Sequence, residues 1–382
     1  MIRSEIPALA TLPTPDADAP VPVGEHGLLL RARLYRARPE ASRRGTVLLF
    51  AGGNTSGETF LVPECGLTVF LQAHGWDVWL GEWRASPHVL GTLRDRPLPL
   101  GRGFAEERAV FNLDTAAEQD VVTLVRYVAA RMPRGDRLAI LGHCLGGAIT
   151  SIALSRGCLQ GFHVASFVFT TMSLIYETPW DGWVKAEDFL LERCLATDPG
   201  LRWIDPHRPT DWPATLQEAY AAWPAAWLSG DASPEGQLRR ALTFMFGSPY
   251  AIDSLHPTLR GRVLGELFGP IHVGIYLHVG QNVRRGYCAR FGEPDIVDRP
   301  RFGAGPCGDL DSKHFEGQRV TLIGGSENRL WHRDSLDLMY EWLRSTVSEG
   351  HFEKHVLSGV GMQEMYWGRN PRPVYELIER SL

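Results

Sequence analysis

The sequence predicts an α/β protein, a mostly parallel, doubly wound sheet interrupted by a helical insertion. Three observations predict it. Short, wholly apolar runs alternate with amphipathic helical stretches up to about residue 177, the same pattern resumes near residue 319, and the stretch between is helical, loop-rich and heavy in Trp. Strands that read as continuous apolar runs belong to sheets covered on both faces. A length of 382 residues suits one large α/β domain with an insertion, and 44% apolar residues suffice for its core.

Residues 6–23 are rich in Pro, Ala and Asp, and 1–25 are expected to be an unstructured lead-in. Residues 28–30 and 33–35 read as a hairpin-like pair. The run 46–50 (TVLLF) is a buried strand, and the breaker cluster Ala51-Gly52-Gly53-Asn54 ends it. A helix over 67–74 leads into a second apolar strand, 76–80. Residues 114–131 form a helix with Val121, Val122, Val125 and Val128 on its apolar face. The strand 137–141 (RLAIL) is followed at once by Gly142-His143-Cys144-Leu145-Gly146-Gly147 and a small-residue helix, and 165–169 is again strand-like. Residues 178–302 hold Trp180, Trp183, Trp203, Trp212, Trp223 and Trp227, half of the chain's twelve, which marks them as a cap or lid with its own aromatic core. The sheet pattern returns with a strand at 319–323, a helix at 335–345, a strand at 352–357 and a closing helix at 374–381. The expected division is therefore 26–177 and 303–382 for the two parts of the core, with 178–302 as the cap.

Charge and cysteine content narrow the function. With 39 basic and 44 acidic residues the formal net charge is −5, and the 36 Arg are scattered beside only three Lys (Lys185, Lys313, Lys354), so no nucleic-acid footprint is expected. The six Cys show no CxxC pair, which predicts free thiols in a reducing compartment. The N-terminus lacks a signal-peptide pattern and no apolar run approaches the ~20 residues of a membrane span, so a cytoplasmic location is expected.

The strongest chemical signal is Gly142-His143-Cys144-Leu145-Gly146, a G-x-C-x-G between an apolar strand and a helix. In this nucleophile-elbow pattern the central residue sits on a strained turn, small neighbours permit close backbone approach, and the helix N-terminus favours negative charge. Cys144 is the candidate nucleophile; the alternative is an inert buried thiol in a Gly-rich turn. The backbone N–H groups of Gly53 and Leu145 are the candidate oxyanion donors, against the reading of Gly52-Gly53 as a plain tight turn. Glu327, in Gly324-Gly325-Ser326-Glu327-Asn328 after a strand, has the place and chemistry to orient an imidazolium, or else is a solvated loop carboxylate. Met362 stands where the catalytic His would follow the last strand, and Met accepts no proton. A thiol tolerates that loss better than a hydroxyl. Candidate substitute bases are His355, His272 and His278; Asn54, His143 and Met362 are candidate pocket residues.

These motifs carry a resemblance. The chain resembles an α/β-hydrolase, and within that fold the hydrolase-like proteins and domains found alongside cholesterol-oxidase-type flavoproteins in bacteria. The residues that carry it are the stretch GWDVWLGEWR (75–84), His143-Cys144-Leu145-Gly146, Gly265-Glu266-Leu267-Phe268-Gly269, 324–328 and the closing 353–368. The resemblance implies an α/β-hydrolase fold with a helical cap insertion and an acyl-transfer site beneath the cap, with Cys144 as nucleophile, Glu327 as acid, and Met362 where the family shows His. The elbow alone, G-x-C-x-G-G, is also similar to that of polyhydroxyalkanoate synthases. The leading expectation is acyl transfer through a Cys144 acyl-thioester on an apolar acyl or thioester substrate, with an acyl-carrier protein or CoA ester as a possible donor. The alternative is a binding, cyclising or isomerising protein on a degenerate scaffold. With no Gly-x-Gly-x-x-Gly after a strand, no Walker motif and no defensible metal-ligand spacing among the thirteen His, no cofactor or metal is expected.

Overall fold

The computed structural model describes residues 12–24, 27–63, 66–95, 104–223, 232–259, 262–293 and 310–382. In chain order the strands are β1 (Ala17–Val23), β2 (Leu28–Tyr35), β3 (Gly45–Phe50), β4 (Trp76–Glu82), β5 (Leu138–His143), β6 (Val164–Thr170), β7 (Trp203–Ile204), β8 (Ile271–His272), β9 (Arg319–Gly325) and β10 (His351–Leu357). Eight of them form one sheet in the order β1-β2-β4-β3-β5-β6-β9-β10, and β7 and β8 pair separately within the insertion. From β4 to β10 every neighbouring pair is parallel; β2 runs antiparallel to both β1 and β4. All residues of β3, β4 and β5 are buried, as continuous apolar strands between two helical layers must be.

That order creates a topological switch point. The chain leaves β3 toward β4 on one side and leaves β5 toward β6 on the other, so a crevice opens between the C-terminal ends of β3 and β5. Gly52-Gly53 and Cys144 lie at those two ends.

Two expectations are corrected at the N-terminal edge. Residues 17–23 are not a disordered lead-in but strand β1, and 28–35 is one continuous strand rather than a hairpin-like pair. The composition hid an alternation: Val21 and Val23 turn inward opposite Leu30 and Leu28, while Pro20 and Pro22 face solvent. An edge strand tolerates Pro because its outward N–H needs no sheet partner. The rest of the expected lead-in, 1–11 and 25, lies outside the described residues.

The helix expected at 114–131 is present but is not uniform. It runs from Leu113 to Ala129 with a π-helical stretch at Ala116–Val121. That stretch carries Asp120, fully buried, whose carboxylate accepts from Arg84 Nε at 2.8 Å and Nη2 at 2.6 Å and from the Arg84 backbone N–H at 2.9 Å. Arg84 follows β4 and is equally buried, so this bidentate pair ties the end of β4 to the helix covering the sheet.

The insertion is helical, with Trp180–Glu187, Leu190–Thr197, Ala214–Ala222, Pro234–Phe246 and Val273–Arg285 as its main helices. Its aromatic residues pack on one another: Trp212, Tyr220 and Trp223 surround Phe244 at 5.2–5.9 Å between ring centres. Most of the Trp there are thus cap core, and Trp180 alone of the five described is largely exposed, at 64%. Trp227 and the expected boundary at 302–303 lie outside the described residues, as do Cys65 and Cys307; Cys144, Cys158, Cys194 and Cys288 are free thiols. Among the described residues no helix is long and apolar enough to cross a membrane.

Replacing Asp120 with Ala leaves the Arg84 guanidinium buried without its carboxylate. The expected loss is about 3–5 kcal/mol of unfolding free energy, to be read from the urea midpoint; a shift under about 1 kcal/mol would show the pair to be dispensable.

Candidate active site

Strand β5 ends at His143, and the helix Leu145–Ser155 begins one residue later with Cys144 as its N-cap. Such an abrupt reversal needs a backbone that most residues avoid, and Cys144 sits at φ 52°, ψ −126°. A non-Gly residue held there stores about 1–3 kcal/mol of strain. The flanking glycines make the turn possible. A Cβ on Gly142 would lie 2.5 Å from the Gly146 carbonyl oxygen, and one on Gly146 would lie 2.4 Å from the Phe50 oxygen. The helix therefore rests directly on the ends of β5 and β3.

Cys144 is buried, at 5% exposure. Three N–H groups converge on its sulfur: the backbone of Gly53, the backbone of Leu145, and the indole of Trp331, whose Nε1 donates at 3.5 Å. The Gly53 and Leu145 groups come from the two sides of the switch-point crevice. Gly52 faces the same side chain, with no room for a Cβ without contact at 3.2 Å to the Cys144 Cβ. The loop holding Gly53 is anchored by Trp83, whose indole donates to the Ala51 carbonyl at 3.0 Å. These donors favour thiolate, but burial outweighs them and pushes the thiol up to about 11.

Asn54 is buried in a left-handed conformation, φ 51°, beside the Gly52-Gly53 loop, and its carbonyl accepts from Gly269 N–H at 2.8 Å. With the Thr55–Phe268 bridge this stitches the cap to that loop. His143, although adjacent to Cys144 in sequence, makes its contacts elsewhere. Its Nδ1 meets Thr170 Oγ1 at 3.0 Å, its ring packs edge-on against Tyr366, and full burial lowers it to about 3. It is a core imidazole held neutral.

Of the candidate substitute bases, none touches the sulfur. His272 caps the helix Val273–Arg285 through Nδ1, stacks on Phe111 and lies 3.4 Å from Glu107. His278 accepts from Leu113 N–H at 3.1 Å through Nδ1 and meets the Ala289 carbonyl at 2.8 Å through Nε2. His355 lies on β10 at the sheet edge, paired with Glu353 at 3.2 Å. Among the described residues no imidazole hydrogen-bonds the Cys144 sulfur.

Glu327 follows β9 but its side chain is exposed and accepts from Ser326 Oγ at 3.1 Å. Its backbone N–H donates to the Val360 carbonyl, binding this loop to the one after β10. Met362, 5% exposed, belongs to the same apolar core as Cys144 and Trp331, and borders a polar cleft that Glu327, Arg329 and Glu364 also line.

Sequence reasoning missed Trp331 and Tyr176. Trp331 is held by the turn after Glu327, where Asn328 Oδ1 accepts from the Leu330 and Trp331 N–H groups at 3.0 and 3.1 Å. Tyr176 stands edge-on to its indole at 5.3 Å, with the phenol raised well above its ordinary value by burial. The sole sequence hint is Asn328, a turn former three residues before Trp331. Trp331 also lines a cap cavity of about 90 Å³, so one indole bounds both the Cys144 sulfur and the space beneath the cap.

Sheet order, elbow and cap together define an α/β-hydrolase fold. Solved structures agree over almost the whole chain. A lipase in its open form is similar at a TM-score of 0.54 and 12% identity, covering 96% of this chain and 98% of its own. A carboxyl esterase from Bacillus coagulans gives 0.52 and 12%, covering 95% and 96%. One of a group of epoxide hydrolases from hot-environment metagenomes gives 0.52 and 13%, covering 96% and 98%. At such identities the likeness establishes the fold alone. Neither a family model nor a curated protein matches the sequence.

Trp331→Phe keeps an aromatic ring but removes the indole N–H from the sulfur. Alkylation of Cys144 by iodoacetamide at pH 8, followed by peptide mass spectrometry, should slow several-fold, as loss of about 1 kcal/mol of thiolate stabilisation requires. An unchanged or faster rate would show that the indole does not stabilise thiolate.

Proposed function

We propose that the chain is an acyl-transfer enzyme working through a thioester on Cys144. The observation that carries this reading is the strained Cys144 at the switch point with the Gly53 and Leu145 N–H groups directed at its sulfur. In the reaction the sulfur forms a bond to the substrate carbonyl carbon, and the carbonyl oxygen takes the negative charge toward those two donors. The carbonyl then re-forms as the leaving group departs with the electron pair of its former bond to carbon and with the thiol proton. Water, or an alcohol, amine or thiol acceptor, attacks the thioester carbon and returns the thiol.

The chemistry of the substrate follows from the missing imidazole. A thiol raised to about 11 is ionised to only a very small extent at neutral pH. Without general-base help, usually worth about 10²–10⁴ in rate, the acyl donor must bring a good leaving group. A thioester, as on CoA or an acyl-carrier protein, meets that need. The apolar cavity bounded by Trp331 suits an apolar acyl group. The finer resemblance, to proteins found alongside cholesterol-oxidase-type flavoproteins, rests on sequence motifs alone.

That no imidazole among the described residues bonds the sulfur also favours a second reading, a protein that binds a small molecule, or cyclises or isomerises it, without using Cys144. Intact-mass measurement separates the two. Incubation with a medium-chain acyl-CoA should add one acyl mass to the native chain and none to Cys144→Ala. No adduct, or an adduct on the variant, would remove the thioester reading. If instead the variant keeps full native activity while remaining folded, the second reading stands.

The rate of thioester formation should also climb with pH. Because burial raises the thiol to about 11, the thiolate fraction grows about ten-fold per pH unit between pH 7 and 10. A rate plateau above pH 7 would instead reveal a base with an imidazole-like value.

A further inference from the structure

The cap cavity holds one charged group that the acyl-transfer site does not use. Its wall is mostly aliphatic, including Leu191, Ile204, Leu216 and Val283, and Trp331 bounds it on the side of Cys144. Into this wall is set Lys185, from the helix Trp180–Glu187. Its Nζ donates to the Phe244 carbonyl at 2.6 Å and lies 5.1 Å from the centre of the Trp223 ring and 5.9 Å from that of Phe244. Among the described residues Lys185 forms no ion pair. Of the other described charges on the wall, Arg284 pairs with Glu192 at 3.0 Å and donates to the Ala186 carbonyl at 3.0 Å. Among the described residues the lining thus carries one cation in excess, half-buried against apolar side chains where an unpaired charge is costly.

Burial lowers the Lys185 ammonium to about 8, against a weaker opposing effect of Asp181 one turn away, so it stays mainly protonated at neutral pH. An ammonium has three N–H donors, and the Phe244 carbonyl occupies one. A base role at the nucleophile finds no support, since Lys185 is absent from the groups that act on the Cys144 sulfur.

We propose that this cavity binds a ligand with an apolar chain and a single carboxylate, the carboxylate pairing with the Lys185 ammonium and the chain running along the aliphatic wall toward Trp331. The proposal rests on the acyl-transfer reading in one respect only: it names the substrate class as an acyl chain that carries a carboxylate remote from the reacting carbonyl. The carboxylate neutralises the excess cation, and the low polarity that penalises Lys185 alone strengthens the pair.

Binding is tested in the Cys144→Ala background, where no thioester forms, so failure here leaves the thioester reading to its own mass measurement. Octanoate, octan-1-ol and octylammonium are titrated by calorimetry and by Trp fluorescence. Octanoate should bind saturably at one site, at least about ten-fold more tightly than octanol, and octylammonium should not bind. Lys185→Met, close in shape and apolar, should weaken octanoate at least about ten-fold while leaving octanol within about two-fold; Lys185→Arg should keep part of the octanoate affinity. Octanol and octanoate binding alike, octanoate unaffected by Lys185→Met, or no binding of octanoate would overturn the proposal. If Lys185→Met does not fold, the octanoate-to-octanol ratio on the Cys144→Ala chain decides alone.

Discussion

The whole site depends on one steric constraint, the closeness with which the helix Leu145–Ser155 rests on the ends of β5 and β3. Only glycine fits at 142 and 146, because any Cβ there would enter the carbonyls it faces. That contact forces Cys144 into a positive-φ backbone, and the strain is offset by the surrounding sheet rather than relieved locally. It also brings the Leu145 N–H round to the sulfur, opposite the Gly53 N–H from the neighbouring strand end. Sheet order, turn and donor geometry are therefore one structural fact seen at three scales.

What the fold supplies and what it withholds are unequal. The backbone N–H groups of Gly53 and Leu145 face the Cys144 sulfur. Among the described residues no imidazole hydrogen-bonds that sulfur, and Met362 is buried in the apolar core. In the resting structure the sulfur itself takes the hydrogen bonds of Gly53, Leu145 and Trp331. Desolvation still wins, because three donors to a weakly accepting sulfur do not replace its lost hydration. The thiol therefore stays protonated at neutral pH despite the donors around it.

Much of this was legible in the residues. The wholly apolar runs at β3, β5 and β9 announce a covered parallel sheet, and Gly142 and Gly146 around Cys144 announce the turn. The strand β1 was not legible, since Pro20 and Pro22 outweighed the inward alternation of Val21 and Val23; composition counts residues, whereas an edge strand needs only one face. Trp331 and Lys185 were illegible for a different reason. Their roles arise from tertiary proximity, across 187 positions in the case of Trp331 and Cys144, and no local period encodes such a meeting. His272 and His278 are candidate bases in the sequence, yet His278 is held by backbone groups through both ring nitrogens, and His272 caps a helix through Nδ1 while its Nε2 lies 3.4 Å from Glu107.

Finally, the cap is not a separate lid laid over a finished site. The Gly269 N–H bond to the Asn54 carbonyl and the Thr55–Phe268 bridge make it continuous with the loop that presents Gly53. Ile271, just beyond, would sit 3.4 Å from any Cβ placed on Gly53. The segment 268–271 therefore belongs to the same packed unit as the loop that carries the Gly53 N–H beside Cys144.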